Sequence, residues 1–281
     1  MCLVLLAWRA HPEYRLIVAA NRDEFYTRDT EALRPWPGEA LLAGRDLGAS
    51  APGTWLGVRT DDARFATVTN VRDPKDNPPR PRSRGALLLD YLRGSATPAR
   101  YLREMTAAPD AYVGYNLLVS DLRTLWWQSN RSGVGPAELA PGLHALSNAA
   151  HILSEPGSIH SRPQDPMVTG AGAPPVWPKV SSGLTGLHEI VATAPDSVDD
   201  YFALLADRTE APDELLPRTG IPLGFERAVS ARFVAHELHG TRASTVLLVR
   251  EDGTFTMAER TFGRHGVAEG AESVSGVLEL G

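Results

Sequence analysis

The second residue of the chain is its one cysteine, and that position gives it two reactive groups. Removal of the initiator methionine ahead of a small residue would expose a thiol and a free α-amino group on the same residue. Such an amine has a model-peptide pKa of about 7.7–8.0, so part of it is neutral at physiological pH. It can take the proton from its own side chain, as an N-terminal threonine amine does. One residue then supplies nucleophile and base. The plain alternative for Cys2 is a small buried hydrophobe in a first strand. The second candidate is the run Asn21-Arg22-Asp23-Glu24. Leu3–Trp8 and Tyr14–Ala20 are β-compatible and separated by the turn-prone 10–13, which predicts a hairpin. In a hairpin the end of the second strand lies beside the start of the first, so Asp23 falls near the amine of Cys2. There a carboxylate can hold or orient that amine, and Arg22 can offset the charge of Asp23 or of a substrate carboxylate. The alternative is a polar turn leaving the hairpin.

Other chemistries lack their residues. The sequence holds no G-x-S-x-G elbow and no glycine-rich phosphate loop. His236-Glu237-Leu238-His239 places its histidines at i and i+3, whereas the helical zinc signature needs i and i+4. With a single cysteine, a cysteine-rich zinc site is excluded, and no metal site is expected. The net charge of −6 comes without a long basic run, so the electrostatic footprint of a nucleic-acid binder is missing. The apolar opening Cys2–Trp8 is too short to span a membrane or to serve as a secretory signal. A lipoprotein leader would need a long segment where only Met1 stands. A lone cysteine suits a reducing compartment, and the expected location is the cytoplasm. Nothing in the sequence specifies an oligomeric state.

The elements that must position these residues read as strands, then helices, then strands. Beyond the first hairpin, 22–37 reads as a loop. Trp55–Thr60 and Ala63–Val71 form a second hairpin, and Asp73–Arg84 is a proline-bearing loop. Ala86–Arg93 and Pro98–Met105 read as helices, the latter with Pro98 just inside its start after Thr97. Tyr112–Ser120 and Thr124–Ser129 make a third hairpin, and Leu143–Ser147 another strand. Helices are expected at Leu184–Thr193 and Val198–Leu205, the second capped by Ser197. Ser244–Arg250 and Thr254–Arg260 flank Glu251-Asp252-Gly253 as a last hairpin. This order predicts a layered α+β fold with antiparallel sheet, read as one domain over 1–281. The stretch 151–178 is rich in Pro, Gly and Ser and is far longer than an ordinary connection.

Several blocks carry a resemblance. Cys2, Ala19-Ala20-Asn21-Arg22-Asp23-Glu24-Phe25-Tyr26, Gly53-Thr54-Trp55-Leu56-Gly57, Thr69-Asn70, Gly114-Tyr115-Asn116-Leu117, Leu146-Ser147-Asn148 and Gly240-Thr241-Arg242 together resemble the NRDE family, to which the transport and Golgi organisation proteins belong. That family is similar in fold to N-terminal-nucleophile hydrolases such as bile-salt hydrolase and penicillin V acylase. The resemblance implies a four-layer αββα sandwich and amide cleavage by an N-terminal cysteine. It implies Cys2 as nucleophile, Asp23 at the new amino terminus, Asn70 and Asn148 bordering the oxyanion site, and Asn21, Arg22 and Arg242 on the substrate side. The acylase signature opens on an arginine where this chain has Ala20. Relatives reach a Trp- and Pro-containing segment soon after Ser-Asn, whereas Trp177-Pro178-Lys179 comes here after a long interval, so 151–178 resembles an insertion. It is either a surface loop or a lid based beside Asn148.

Two functions follow from the resemblance. One is an amidase or acyltransferase that cleaves an acyl amide or thioester and requires no cofactor. The other is a carrier of haem or of acyl-CoA and lipid without turnover. For haem, the candidate axial ligands are His144, His151, His160 and Cys2.

Overall fold

The computed structural model describes residues 2–48, 52–72, 80–155 and 177–280. Most of the expected insertion at 151–178, with His160, and most of the loop at 73–84 lie outside them. The chain opens with strands β1 (Cys2–His11), β2 (Tyr14–Phe25), β3 (Thr30–Pro35), β4 (Leu41–Asp46), β5 (Leu56–Arg59) and β6 (Arg64–Asn70). Helices α1 (Arg84–Arg93) and α2 (Pro98–Thr106) follow. Strands β7 (Tyr115–Ser120), β8 (Leu125–Ser129), β9 (Ala137–Glu138), β10 (Gly142–Leu146) and β11 (Leu153–Ser154) come next. Helices α3 (Pro178–Thr193), α4 (Val198–Leu205) and α5 (Leu223–Ala228) precede β12 (His239–Arg250), β13 (Thr254–Phe262) and β14 (Ala268–Val277).

The strands form two seven-stranded antiparallel sheets, ordered β11-β10-β1-β2-β12-β13-β14 and β3-β4-β5-β6-β7-β8-β9. Both faces of β1 are covered, which explains its unbroken apolar run Cys2–Trp8. Val4, Leu6 and Trp8 join Val18, Phe65, Leu118 and Trp127 in a cluster between the sheets. Leu3, Leu5 and Ala7 join Leu184, Leu187, Tyr201 and Phe202 under α3 and α4. A third cluster packs Leu88, Leu92 and Leu102 of α1 and α2 on Ala66, Leu117 and Val119 of the second sheet. The alternation of side chains along a strand therefore sorts successive residues into different layers, and it does the same at the site.

Two sequence expectations are corrected, and two strands had none. The expected loop at 22–37 is mostly strand: β2 runs on to Phe25 because β12 pairs with it there, His239 opposite Phe25, and β3 follows. Those ladder partners are far away in sequence and invisible locally. The helix expected at Leu184–Thr193 begins at Pro178. Its fixed φ suits a first helical position, and the glycines that break the periodicity allow a close approach. A Cβ on Gly183 would stand 2.9 Å from Leu5 Cδ2. Finally, the chain after the last hairpin carries β14, and β4 precedes the second hairpin; neither shows a strand pattern in isolation. Thr97 and Ser197 cap as expected, each accepting a backbone N–H of the first turn, and Ser83, read as part of a loop, caps α1 in the same way.

One backbone approach decides where α1 sits. A Cβ on Gly85 would stand 3.0 Å from Gly53 Cα and 3.1 Å from Thr54 N, neither of which can rotate away. Gly85→Ala is expected to cost about 1–3 kcal/mol by overpacking, read as a lower thermal midpoint. An unchanged midpoint would mean that the helix start slides without cost.

Candidate functional site

Strand register brings the first described residue into the middle of the molecule. Cys2 pairs with Arg22 across β1–β2, and both side chains line a cavity of about 230 Å³ at the end of the inter-sheet layer. The cysteine is 9 % exposed. Its backbone nitrogen donates to Asn148 Oδ1 at 3.1 Å, and Ser147 Oγ donates to its carbonyl at 2.6 Å. Asn148 Nδ2 in turn donates to the Asn70 carbonyl at 2.8 Å. Ser147 and Asn148 are delivered by β10, which pairs with β1 through Leu146 opposite Val4. Thr69 Oγ1 donates to the Ser147 carbonyl at 2.7 Å, and Asn116 Nδ2 donates to the Ala149 carbonyl at 2.8 Å. The two sheets are thus joined by hydrogen bonds at the point where the chain starts. Asn70 also lines the cavity. The sequence reading gave Ser147, Thr69 and Asn116 no role, although all three lie within the blocks that carry the resemblance.

Arg22 donates to Asp46 Oδ2 at 2.7 Å and lies over the Trp55 ring at 4.5 Å. Its Nη1 is buried and has no hydrogen-bond partner among the described residues. Arg28 also binds Asp46, whose carboxyl stays below its ordinary pKa because these arginine contacts outweigh its burial. Arg80, Arg82 and Arg84 complete the basic rim. Arg82 is paired with Asp90 at 2.6 Å.

Asp23 is 2 % exposed and accepts from Thr241 Oγ1 at 2.7 Å. Burial raises its pKa, and the amino-terminal charge, Lys179, the Thr241 hydrogen bond and Arg72 offset only part of that rise. Lys179 is itself buried, and Arg72 pairs with Glu226 at 2.5 Å while lying over the Trp177 ring at 4.5 Å. Trp177-Pro178-Lys179 stood out in the sequence as a segment, with no sign that it delivers a buried lysine here, one whose pKa burial pushes down. A buried lysine at the start of an amphipathic helix looks in sequence like any solvated one.

Two other residues sit elsewhere. Asn21 donates to the carbonyls of Leu205 at 2.9 Å and Arg232 at 2.8 Å, and it accepts from Ser244 Oγ at 2.6 Å. It ties the end of α4 to β2 on the helical side and does not line the cavity. Arg242 donates to the carbonyls of Phe25, Tyr26 and Arg28 and to Thr30 Oγ1. It holds the β2–β3 turn and is likewise absent from the cavity lining. Among the candidate haem ligands, His144 has both ring nitrogens engaged, with Ser154 Oγ at 2.7 Å and the Ala140 carbonyl at 2.8 Å. Burial lowers its pKa to about 4. No cluster of metal-ligating side chains occurs among the described residues, and no helix among them is long and apolar enough to cross a membrane. Asn21→Ala would take the donor from one buried and one part-buried carbonyl and is expected to cost about 2 kcal/mol of stability. An unchanged thermal midpoint would show that the α4 junction does not depend on it.

The relatives match this arrangement across nearly its full length. The sequence profile of the family described as Transport and Golgi organisation 2 matches residues 1–264. The chain is 31 % identical to a bovine Transport and Golgi organization protein 2 homolog over 282 residues, covering 93 % of each chain. It is 29 % identical to the human homolog, again with 93 % of each covered. The Transport and Golgi organization protein 2 of Drosophila melanogaster is 31 % identical over a shorter stretch of 100 residues, 33 % of this chain and 35 % of that one. The chain belongs to the Transport and Golgi organisation 2 family.

Proposed function

We propose that the protein is an acyl hydrolase or acyltransferase of the N-terminal-nucleophile type, with Cys2 as nucleophile and an acyl amide or thioester as substrate. The observation that carries this reading is the position of Cys2: its sulfur-bearing side chain lines the cavity while its nitrogen is held by Asn148. The three stacked apolar clusters, between helices and sheet, sheet and sheet, and sheet and helices, are the layering such an αββα enzyme requires.

In this reading, loss of Met1 turns the Cys2 nitrogen into an α-amine already oriented by Asn148. The amine takes the thiol proton, and the sulfur attacks the acyl carbon. The carbonyl π bond opens to an oxyanion, for which this reading assigns two donors: the second N–H of Asn148 Nδ2, whose first is held by the Asn70 carbonyl, and the side-chain amide of the cavity-lining Asn70. The leaving amine or thiol departs with the proton, and water then attacks the thioester and releases the acid. Arg22, with an unpartnered buried N–H, supports a polar or anionic portion of the substrate beside the reacting carbonyl. A haem carrier is less well supported, because ligation by His144 would break both of its hydrogen bonds.

The test is turnover on a panel of acyl amides and acyl thioesters. Cys2→Ala is expected to abolish activity, as is an uncleavable extension placed before Cys2. Asn148→Ala is expected to lower kcat by roughly 10²–10³-fold, the usual loss for an oxyanion donor. An extended variant with full activity would eliminate the α-amine as base.

A further inference from the structure

The segment that carries Asn148 is not itself a strand, yet each of its backbone carbonyls is held by a residue on or next to β6 and β7. The Ser147 carbonyl accepts from Thr69 Oγ1 at 2.7 Å and from Asn116 Nδ2 at 3.3 Å. The Asn148 carbonyl accepts from the Arg72 backbone N–H at 2.7 Å, and the Ala149 carbonyl from Asn116 Nδ2 at 2.8 Å. Asn116 Nδ2 donates to Thr69 Oγ1 as well, at 3.0 Å. Thr69 and Asn116 stand directly opposite one another in the β6–β7 ladder, so their side chains share a face. By strand alternation it is the face that carries Phe65 and Leu118 into the apolar layer between the sheets. Both residues are 1 % exposed. Packing alone would favour apolar side chains there, since a buried amide or hydroxyl is costly unless hydrogen-bonded. The orientation of the Asn116 amide is fixed, because two carbonyls need its N–H groups and have no use for its oxygen. Its Oδ1 has no hydrogen-bond partner among the described residues, so the amide is spent on Thr69 and the 147–149 segment.

We propose that Thr69 and Asn116 are positioning residues of the Cys2 centre. They clamp the carbonyls on both sides of Asn148, which aims its Oδ1 at the Cys2 nitrogen and its Nδ2 at the Asn70 carbonyl. The catalytic consequence rests on the acyl-transfer reading, but the clamp itself is tested without a substrate. In protein carrying isotope-labelled asparagine, hydrogen exchange of the side-chain amides is followed by NMR in the wild type, Thr69→Val and Thr69→Ser. Loss of the hydroxyl is expected to speed exchange of the Asn148 amide by roughly tenfold. The Asn21 amide, bound to the Leu205 and Arg232 carbonyls on the helical side, is the internal control and is expected to keep its rate. Thr69→Ser keeps the hydroxyl and is expected to restore protection. Unchanged Asn148 exchange in Thr69→Val would overturn the proposal, and so would equal acceleration at Asn21, which marks a general loosening. Should neither variant fold, the wild type decides: protected Asn116 and Asn148 amides are expected, and exchange at the rate of free asparagine overturns the clamp. On a substrate from the acyl panel, Thr69→Val is expected to lower kcat roughly tenfold with KM unchanged. In an Asn148→Ala background the same change is expected to alter kcat less than about twofold, because residues that act through one another are not additive. A loss confined to KM, or full additivity, would overturn the positioning role. Faster Asn148 exchange in a protein that turns over nothing would sink the acyl-transfer reading and leave the clamp assigned. Turnover with unchanged exchange would do the reverse.

Discussion

The hydrogen bond from the Cys2 nitrogen to Asn148 Oδ1 spans 146 residues of sequence and fixes where the chain starts relative to everything else. It forms because β1 lies between β10 and β2 in the first sheet, so the residues leaving β10 must pass the first residue of β1. Ser147 and Asn148 fill that passage, and Asn148 then reaches across to the Asn70 carbonyl at the end of β6 in the second sheet. A single side chain thus joins the amino end of one sheet to the other. Where these strand ends meet, the inter-sheet core gives way to the cavity.

Strand alternation then divides the charges. Arg22 and Asp23 are neighbours in sequence but meet different partners. Arg22 stands opposite Cys2 and engages Asp46 and Trp55. Asp23 stands opposite Thr241 and meets Thr241 Oγ1 and the field of Lys179. Reversal by one residue would place the carboxylate among the arginines and the arginine among the buried cations, so the register of β2 is an electrostatic constraint as well as a steric one. Asn148 and Asp23 thus act at the Cys2 nitrogen, and the arginine side of the cavity is left for the substrate.

Much of this was legible in the sequence. The opening hairpin, the proximity of Asp23 to Cys2 and the capped helices follow from periodicity and turn residues, and the family follows from the block around Asn21-Arg22-Asp23-Glu24. What escaped depends on long-range partners. Strand β3 and the end of β2 look like a charged loop until the second sheet and β12 supply their ladders. Lys179 gives no local sign of burial, because what buries it is the packing of α3 and the Val229 segment. Asn21 and Arg242 sit in family blocks, yet the carbonyls they bind place one at the α4 junction and the other at the β2–β3 turn. Membership of a motif did not distinguish a residue that faces the cavity from one that holds the backbone around it.

The central claim, that a processed Cys2 is an acyl-accepting nucleophile, is tested most directly by mass. The purified protein is treated with an activated acyl ester that transfers its acyl group and is hydrolysed slowly, and the intact chain and its peptides are weighed. The account predicts a chain without Met1 that carries one acyl group on Cys2, and none in the Cys2→Ala variant. A chain that keeps Met1, or acyl groups scattered over lysines with Cys2 unmodified, would contradict it.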